Sequence, residues 1–284
     1  MRTGKTKNLG VIGCPIEHSL SPIIQNAAIE KAGLDYNYIA LHVAPENLAA
    51  AVNGLRALEF RGVNVTIPHK TAIMEHLDEI DAKAKLIGAV NTVVNDNGKL
   101  TGYNTDYIGF IRGLKNRGFD FKNKNVAVFG AGGAARAVIV GLFSESVSNI
   151  TLGVRNKNKG EKAAADFAQL GNITAADYNE DAWTKAIATA DLIVNTTPLG
   201  MTPRVDECVP IDYSIVKPSA YFYDIIYTPA ETKFLRQARE SGHATLNGES
   251  MLALQGAASL RLWTGAEVDE ALMEKVLHDY LNQQ

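Results

Sequence analysis

Short apolar runs alternate with longer stretches of helical spacing along almost the whole chain. This succession is typical of α/β proteins, in which strands and helices follow one another. Ser21-Pro22 supplies a candidate N-cap followed by a proline at the first helical position. In the N-terminal third the pattern predicts a strand, a helix, a strand, a helix and a strand at Leu9–Gly13, Ser21–Lys31, Tyr36–Val43, Glu46–Leu58 and Gly62–Thr66.

The rest of the chain continues the alternation. Pro68–Leu77 and Glu79–Ile87 are predicted short helices, and a hairpin follows across Asp96-Asn97-Gly98, a turn suited to positive φ. A second unit begins near Asn125. The strands predicted for the hairpin and for this unit are Ala89–Asn95, Lys99–Tyr103, Val126–Phe129, Asn149–Val154, Leu192–Asn195 and Tyr221–Ile226, and two helices follow at Ser250–Trp263 and Val268–Leu281.

Composition narrows the class of protein. The chain has 284 residues, of which 46% are hydrophobic and 21% charged, with a formal net charge of -3. These values are ordinary for a globular protein and suggest two domains. No basic patch of the kind that binds nucleic acid is evident, and no apolar run reaches the ~18–20 residues that span a bilayer. Cys14 and Cys208 offer neither a disulfide framework nor a metal spacing. We therefore expect a cytoplasmic protein without nucleic-acid, membrane or metal partners.

A glycine-rich segment, Gly130-Ala131-Gly132-Gly133-Ala134-Ala135, lies between a predicted strand and an alanine-rich predicted helix. It matches the G-x-G-x-x-G/A fingerprint of dinucleotide-binding folds. In that fingerprint Gly130 permits the tight turn, Gly132 lets the backbone approach a pyrophosphate, and Ala135 allows close helix packing. The helix N-terminus supplies amide donors for the phosphates. The segment predicts a dinucleotide site, with a purely structural turn as the alternative.

The end of the next strand indicates which nicotinamide cofactor binds. An NAD enzyme usually carries Asp or Glu about 20 residues after the glycines, where it bonds the ribose 2′-hydroxyl. This chain instead reads Val154-Arg155-Asn156-Lys157-Asn158-Lys159. The planar guanidinium of Arg155 suits a 2′-phosphate, and Lys159 would lie nearby on the first helical turn. The prediction is NADP, and the alternative is a solvated basic loop.

Several polar segments are too specific for generic loops. They are Gly13–Pro22, Gly62–Lys70, Gly88–Thr92, Gly102–Asp106, Asn195–Met201 and Gly248–Gln255. Taken together and in this order, they resemble the shikimate dehydrogenase family over nearly the whole chain. The Asn-Val-Thr-x-Pro-x-Lys pattern of residues 64–70 is particularly specific. The family's usual Asn-Arg-Thr reads Val154-Arg155-Asn156 here, and Lys159 stands where many members have a second arginine.

The resemblance implies a two-domain α/β protein and a reaction. Residues 1–106 and 248–284 would form the substrate domain with a mixed sheet, and residues 107–247 an inserted Rossmann domain for NADP. The reaction would be the reversible NADPH-dependent reduction of 3-dehydroshikimate to shikimate, on the route to chorismate and aromatic amino acids, in a cleft between the domains. The substrate would be a small molecule, and the chain would act as a monomer or a homodimer.

The resemblance also assigns roles to residues. Lys70 and Asp106 match the catalytic pair. The residues that match the substrate site are Ser19, Ser21, Asn64, Thr66, Asn91, Tyr227 and Gln255. The residues expected at the cofactor are Gly130, Gly132, Gly133, Ala134, Ala135, Arg155, Lys159, Thr196, Met201 and Gly248.

The chemistry of ketone reduction favours the same residue types, independently of the family resemblance. Hydride addition places negative charge on the ketone oxygen, which an ammonium at Lys70 could stabilise and protonate. Asp106 could orient that lysine and hydrogen-bond a substrate hydroxyl. Each residue also has a structural interpretation. Lys70 could be a solvated lysine at a helix start, and Asp106 could be an N-cap. His69 could be a surface histidine. For Ser21, capping and carboxylate binding compete for one hydroxyl.

Three other functions are alternatives. The nearest is a quinate/shikimate dehydrogenase with relaxed use of NAD and NADP, since quinate differs from shikimate by a ring hydroxyl and a saturated ring. A non-catalytic sensor of a pathway metabolite is disfavoured by the intact Lys70 and Asp106. Another NADP enzyme on the same plan, such as a folate dehydrogenase, would have no evident use for Ser19 and Ser21.

Overall fold

The computed structural model describes residues 2–283, and the chain in it divides into two compact units. Unit 1 extends to Gly109 and resumes at Leu252, whereas unit 2 is Phe110–Met251. Each unit contains one six-stranded sheet with helices around it. The predicted α/β class is confirmed.

Unit 1 contains a mixed sheet. The elements of its N-terminal part are β1 (Lys7–Gly13), α1 (Ser21–Lys31), β2 (Tyr36–His42), α2 (Leu48–Ala57), β3 (Gly62–Val65), α3 (His69–Ala72), β4 (Glu79–Ile80), α4 (Ala82–Ile87), β5 (Thr92–Asp96) and β6 (Lys99–Tyr103). The spatial order of the strands is β2-β1-β3-β5-β6-β4. β1 runs parallel to β2 and β3, and β5 is antiparallel to both β3 and β6.

Unit 2 contains a fully parallel sheet, which the chain enters through α5 (Asp106–Lys115). Its elements are β7 (Asn125–Phe129), α6 (Gly133–Ser144), β8 (Asn149–Val154), α7 (Lys157–Phe167), β9 (Asn172–Asp177), α8 (Asp181–Thr189), β10 (Leu192–Asn195), β11 (Tyr221–Asp224), α9 (Lys233–Glu240) and β12 (Ala244–Leu246). The strand order is β12-β11-β10-β7-β8-β9. From β7 the chain adds β8 and β9 on one side and then crosses over to add β10, β11 and β12 on the other side, so the switch point lies between β7 and β10. Such a switch point is where open parallel sheets bind ligands, at the carboxyl ends of the strands.

The chain returns to unit 1 through α10 (Glu249–Thr264), and α11 (Glu270–Leu281) follows. Both boundaries between the units therefore fall inside helices, α5 and α10. The boundaries expected from the sequence, 106/107 and 247/248, come slightly earlier in the chain. The assignment of substrate to one unit and cofactor to the other stays a prediction.

The mixed sheet of unit 1 is buried on both faces. Leu9 and Val11 of β1 pack with Ile24 of α1 and Trp263 of α10, while Ile12 of β1 joins the core on the opposite face. Strands covered on both sides carry apolar residues at successive positions, which explains why β1 reads as a continuous apolar run. This double burial fixes where the polar loops after β1 and β3 begin.

Aromatic rings fill one face of the parallel sheet of unit 2. Phe129 at the end of β7 meets Trp183 of α8 edge-on, with ring centroids 4.8 Å apart, and Phe222 of β11 packs against Phe234 of α9. All four side chains are buried. The carboxyl ends of β7, β10 and β11 are thereby held side by side, and the loops that follow them start from a rigid base.

Several predicted elements differ from the structure. Ser21 is not the N-cap of α1, because it is the first residue of the helix and the cap position is Leu20, which makes no side-chain cap hydrogen bond. Glu79 and Ile80 form a short strand rather than the start of a helix, and α4 begins after Asp81, whose carboxylate accepts from the amides of Lys83 and Ala84. Pro68–Leu77 contains α3 and a 3₁₀ turn instead of one helix. β9 and β12 were not predicted.

No helix among the described residues has the length and apolar character that a membrane crossing requires.

Gly62 of β3 tests how tightly unit 1 packs. A Cβ at this position would lie 2.2 Å from Nε1 of Trp263 and 2.3 Å from the carbonyl oxygen of Val93. Those two atoms are hydrogen-bonded to each other at 2.9 Å, so neither can move aside without breaking that bond. Gly62→Ala is expected to lower the free energy of unfolding by about 1–3 kcal/mol in denaturant titration.

Gly54→Ala is the matched control, because a Cβ on this α2 residue would meet nothing within 4 Å. It should raise the free energy of unfolding by about 0.5–1 kcal/mol, since alanine suits a helix interior better than glycine. Equal stabilities of the two variants would contradict the packing argument.

Candidate active site

Lys70 and Asp106 form a direct ion pair in unit 1. Lys70 lies on α3 and Asp106 is the first residue of α5, yet Nζ of the lysine is 2.6 Å from Oδ2 of the carboxylate. The side chains are 32% and 13% exposed, so the pair reaches solvent mainly through the lysine. Neither carboxylate oxygen bonds an amide of the first turn of α5, so the N-cap alternative for Asp106 does not apply.

Asn91 fixes the other oxygen of this carboxylate. The backbone amide of Thr105, which can only donate, lies 2.7 Å from Oδ1 of Asn91. That contact determines the orientation of the Asn91 carboxamide, so its Nδ2 must donate to Oδ1 of Asp106, at 2.8 Å. Asp106 is therefore held between a neutral donor and the ammonium of Lys70. Its charge is directed at the lysine.

A buried cluster of neutral polar side chains supports Asn91. Asn64 accepts from the hydroxyl of Tyr38 at 2.7 Å and donates to Oγ of Ser259 at 3.0 Å. Ser259 in turn contacts the hydroxyls of Thr92 and Thr105. Asn64 also donates to the carbonyl oxygen of Asn91, so its carboxamide is engaged by protein groups. Sequence reasoning missed Tyr38, Thr105 and Ser259 as members of this set.

The other predicted substrate residues of unit 1 lie on loops and at helix positions. Oγ of Ser19 accepts from the amide of Ser21 at 3.4 Å. Gln255 lies on α10, where its Oε1 accepts from Nδ2 of Asn91 at 3.2 Å. Thr66 follows β3, and its amide donates to the carbonyl oxygen of Ile12. Gln255 therefore contacts Asn91, the residue that also donates to Asp106.

His69 corrects one expectation. The histidine beside Lys70 was expected at the surface, but it is 1% exposed and its Nε2 lies 2.7 Å from the carbonyl oxygen of Val43. It anchors α3 on the segment after β2, which orients the following lysine outward. No sequence pattern indicates this contact, because the partner of His69 is the backbone carbonyl of Val43 and not a side chain.

The glycine-rich turn of unit 2 follows β7, next to the switch point of the sheet. Gly130 has φ of +101°, and a Cβ there would lie 2.8 Å from Oγ1 of Thr196, so the turn requires glycine. Gly132 is the N-cap of α6 and provides no side-chain cap, and a Cβ on Gly132 or Gly133 would meet nothing within 4 Å. Ala135 is buried against the sheet, while Ala134 is partly exposed. The amides at the start of α6 are therefore open to a phosphate.

A basic loop follows the neighbouring strand β8. Arg155 and Lys159 are both exposed, whereas Lys157 between them is held by Glu180 at 2.5 Å. Asn156 caps α7 by accepting from the amide of Lys159 at 3.1 Å. The cap keeps the helix start beside Arg155. The two cations predicted for a 2′-phosphate thus remain available to a ligand.

The remaining predicted contacts of unit 2 follow β10, β11 and β12. Oγ1 of Thr196 donates to the carbonyl oxygen of Phe129 at 2.6 Å, which places it against the glycine-rich turn. Met201 is 45% exposed, an unusual position for a large apolar side chain. Burial raises the pKa of Tyr227, which lies in unit 2 although it was predicted to contact substrate. The amide of Gly248 donates to the carbonyl oxygen of Ile226.

Asp224 at the end of β11 is a buried carboxylate that sequence reasoning did not single out. It is fully buried and accepts from Asn195, Thr232 and the amide of Ile226. Burial raises its pKa to about 6, and the hydrogen bonds from Thr232, Ile226 and Asn195 oppose the rise. Its partners are Asn195 at the end of β10, Ile226 just after β11 and Thr232 at the N-cap of α9.

Within residues 2–283, no group of three His, Cys, Asp or Glu side chains is placed to hold a metal ion.

The fold and the two sites together define a class, the nicotinamide-dependent dehydrogenases built from a Rossmann unit and a second α/β unit. A family model for the shikimate dehydrogenase substrate-binding domain matches residues 11–93. A second, for the shikimate 5′-dehydrogenase C-terminal domain, matches residues 248–278. The chain belongs to the shikimate dehydrogenase family.

Relatives match along the full length of the chain. A shikimate dehydrogenase (NADP⁺) of Methanococcus maripaludis strain C6 is 45% identical over 98% of this chain and 99% of its own. A crystal structure of a shikimate dehydrogenase in complex with NADP⁺ is 40% identical, with a TM-score of 0.92 over 99% of this chain and 98% of that one. A shikimate 5-dehydrogenase from Listeria monocytogenes, in complex with shikimate and NAD, is 37% identical with a TM-score of 0.92, over 97% of this chain and 98% of that one.

The raised pKa of Asp224 makes stability depend on pH. The folded-state pKa of about 6 lies above the ordinary value of 3.8, so the folded protein binds this proton more tightly than the unfolded chain does. The contribution of Asp224 to the free energy of unfolding should therefore fall as pH rises from about 4 to 6 and stay level above that, by about 3 kcal/mol in total. Cys208 and Tyr213, which interact electrostatically with Asp224, stay protonated throughout because burial raises both pKa values.

Denaturant unfolding of the wild type and of Asp224→Asn across pH 4.5–7.5 measures this contribution. The stability of the wild type relative to the variant should decline with rising pH and become constant at neutral pH. A relative stability that rises with pH would contradict a raised pKa.

Proposed function

We propose that the chain catalyses the reversible NADPH-dependent reduction of 3-dehydroshikimate to shikimate, acting in the direction of reduction on the route to aromatic amino acids. The observation that carries the proposal is the ion pair of Lys70 and Asp106, held at 2.6 Å in unit 1. The pair belongs to a chain whose unit 2 has a glycine-rich turn at the switch point of a parallel sheet. Relatives that are 42% and 45% identical to the chain are named shikimate dehydrogenase (NADP⁺).

In the proposed mechanism, Lys70 handles the proton. NADPH, when bound, supplies the hydride. As charge develops on the ketone oxygen, the Nζ ammonium stabilises that oxygen and donates a proton to it. In the oxidation direction the neutral amine accepts the proton of the substrate hydroxyl. Asp106, whose second oxygen is fixed by Asn91, keeps Nζ in one position and provides an acceptor for a neighbouring hydroxyl.

The substrate requires a carboxylate site and a set of hydroxyl contacts. We assign the carboxylate to the hydroxyls of Ser19, on the loop before α1, and Ser21, the first residue of α1. Thr66, Gln255 and Tyr227 supply polar groups for the ring hydroxyls. Asn64 acts on the substrate mainly through Asn91, since its own donors and acceptor are engaged by Tyr38, Ser259 and the backbone of Asn91.

NADP would be held by three parts of unit 2. The amides at the start of α6, with Gly130, Gly132, Gly133, Ala134 and Ala135, would bind the pyrophosphate. Arg155 and Lys159 would bind the 2′-phosphate, for which Arg155 provides a two-pronged donor. Thr196, Met201 and Gly248, at the carboxyl ends of β10 and β12, would contact the nicotinamide half.

We further propose a cytoplasmic location and action as a monomer or a homodimer. Both cysteines, Cys14 and Cys208, are free thiols, which suits a reducing compartment. Light scattering coupled to size-exclusion chromatography distinguishes the two oligomeric states.

Nicotinamide absorbance tests the function in four combinations, shikimate or quinate with NADP⁺ or NAD⁺. The proposal expects shikimate with NADP⁺ to give the highest kcat/KM. A higher kcat/KM with quinate would instead support the broader quinate/shikimate activity, and saturable shikimate binding without any reduction of cofactor would refute a catalytic role.

Lys70→Ala is expected to lower kcat by about 10²–10⁴-fold, the usual contribution of a general acid. KM for shikimate should stay within about tenfold, because the lost interaction belongs mainly to the transition state. Lys99→Ala is the control, since Lys99 forms an exposed ion pair with Glu79 in the same unit. Retention of turnover by Lys70→Ala would show that another group transfers the proton.

Arg155→Ala is expected to raise KM for NADPH at least tenfold and to leave KM for NADH nearly unchanged, because only NADPH carries the 2′-phosphate. Lys157→Ala on the same loop is the control, as its ammonium is already paired with Glu180. Equal increases in KM for both cofactors would show that Arg155 does not read the 2′-phosphate.

A further inference from the structure

Asp224 joins two loops of unit 2 through one carboxylate. Nδ2 of Asn195, the last residue of β10, lies 3.1 Å from Oδ1 and 3.2 Å from Oδ2 of Asp224. On the side of β11, Oδ1 accepts from the amide of Ile226 at 3.1 Å, and Oδ2 accepts from Oγ1 of Thr232 at 2.7 Å. The segment after β10 and the segment after β11 therefore share a single buried anchor.

The loop after β10 is fixed from Asn195 onward. Oδ1 of Asn195 accepts from both the amide and the hydroxyl of Thr197, at 3.0 and 2.7 Å. Thr196 between them bonds the carbonyl oxygen of Phe129 and packs against Gly130 of the glycine-rich turn. The glycine-rich turn has a separate anchor, because the amide of Gly130 donates to the carbonyl oxygen of Gly153 on β8 at 2.9 Å.

The loop after β11 is fixed on its other side by Gly248. A Cβ on Gly248 would lie 2.0 Å from the carbonyl oxygen of Ile225, so the two backbones are in close contact. The amide of Gly248 also donates to the carbonyl oxygen of Ile226 at 2.9 Å. Tyr227 follows directly, so the position of its ring depends on the turn that Asp224 holds through the amide of Ile226.

The site requires a carboxylate rather than an amide. The amide of Thr197 donates to Asn195, so the orientation of the Asn195 carboxamide is determined and its Nδ2 must face Asp224. The hydroxyl of Thr232 can donate or accept, but the NH₂ of Asn195 and the amide of Ile226 can only donate. Because the NH₂ of Asn195 lies within 3.2 Å of both oxygens of Asp224, an asparagine at 224 would turn its own NH₂ toward that donor in either orientation and lose a contact.

We propose that Asp224 is a positioning residue of the reaction, holding the loops after β10 and β11 in the arrangement that receives the nicotinamide half of NADP and presents Tyr227. This inference rests on the proposed function. Asp224 touches neither ligand in the proposed mechanism and acts through Asn195 and Ile226. The adenosine half of the cofactor is assigned to β7 and β8, on the other side of β10 in the strand order.

Kinetics of Asp224→Asn distinguish an effect on the nicotinamide half of the cofactor site from an effect on the adenosine half. The readouts are kcat and KM with shikimate and NADP⁺, and the inhibition constant of 2′,5′-ADP, which is the adenosine half of NADP without nicotinamide. We expect kcat/KM to fall at least tenfold while the inhibition constant stays within twofold of the wild type. A parallel loss of both would indicate general damage to unit 2 and overturn the proposal.

Asp191→Asn is the matched control, because Asp191 is the carboxylate at the opposite end of β10. It accepts from Nζ of Lys217 at 2.7 Å and from the amide of Asn125 at 2.9 Å. Its removal should lower the melting temperature and leave kcat/KM within twofold. If Asp224→Asn also keeps kcat/KM within twofold, the positioning role is wrong. An inactive wild type would instead refute the proposed function.

Thr232→Val keeps the charge of Asp224 and removes one donor, which covers the case in which Asp224→Asn fails to fold. The paired variant Thr232→Ser retains the hydroxyl and its bond to Oδ2. We expect kcat/KM to fall about three- to tenfold in Thr232→Val, and to be restored in Thr232→Ser, with 2′,5′-ADP inhibition unchanged in both. No difference between the pair would overturn the proposal.

Discussion

The contact between the ammonium of Lys70 and the carboxylate of Asp106 is the interaction on which the site of unit 1 depends. It joins α3 to α5, two helices that begin 37 positions apart in the numbering and meet only because β3, β5 and β6 are neighbours in one sheet. The amide of Val90 donates to the carbonyl oxygen of Lys70 at 2.7 Å, and Asn91 directly after it holds Asp106. One short segment therefore fixes the backbone of the lysine and the side chain of its partner.

Neutral hydrogen bonds hold this pair in place. Asn64, Asn91, Thr92, Thr105 and Ser259 are almost fully buried, and burying such groups without partners would be costly. Because the cluster satisfies its members mutually, a displacement of one side chain leaves another unsatisfied. Such a network permits one arrangement and resists others. For the proposed proton transfer, the position of Lys70 relative to Asp106 would thus be set before any ligand binds, which is how preorganised sites lower a barrier.

The sequence allowed the α/β class and the long strands to be predicted, because each has a local signal, whereas the catalytic role of Lys70 and Asp106 follows from the family resemblance and stays a prediction. The apolar runs of β1 and β7 and the glycine-rich turn are contiguous in the chain. The two-residue β4 and three-residue β12 are too short to show a period of two. Asn64 and Ser259 are 195 positions apart in the sequence, so no local pattern could connect them. His69 was misjudged for the same reason, since its partner is the backbone of Val43.

The two units use a buried or half-buried aspartate in opposite ways. Asp106 meets the ammonium of Lys70 and its side chain is 13% exposed, so its charge is directed at that lysine. Asp224 accepts hydrogen bonds from neutral donors and is fully buried, so its carboxylate holds a backbone amide and two side chains in position. A carboxylate accepts several hydrogen bonds at once, and at the carboxyl edge of a parallel sheet the neighbouring strands end side by side. A single buried aspartate there can fix several loops together. A positioning role for the buried carboxylate of Asp224 follows from this arrangement, because the loops it holds begin at the strand ends where open parallel sheets bind ligands.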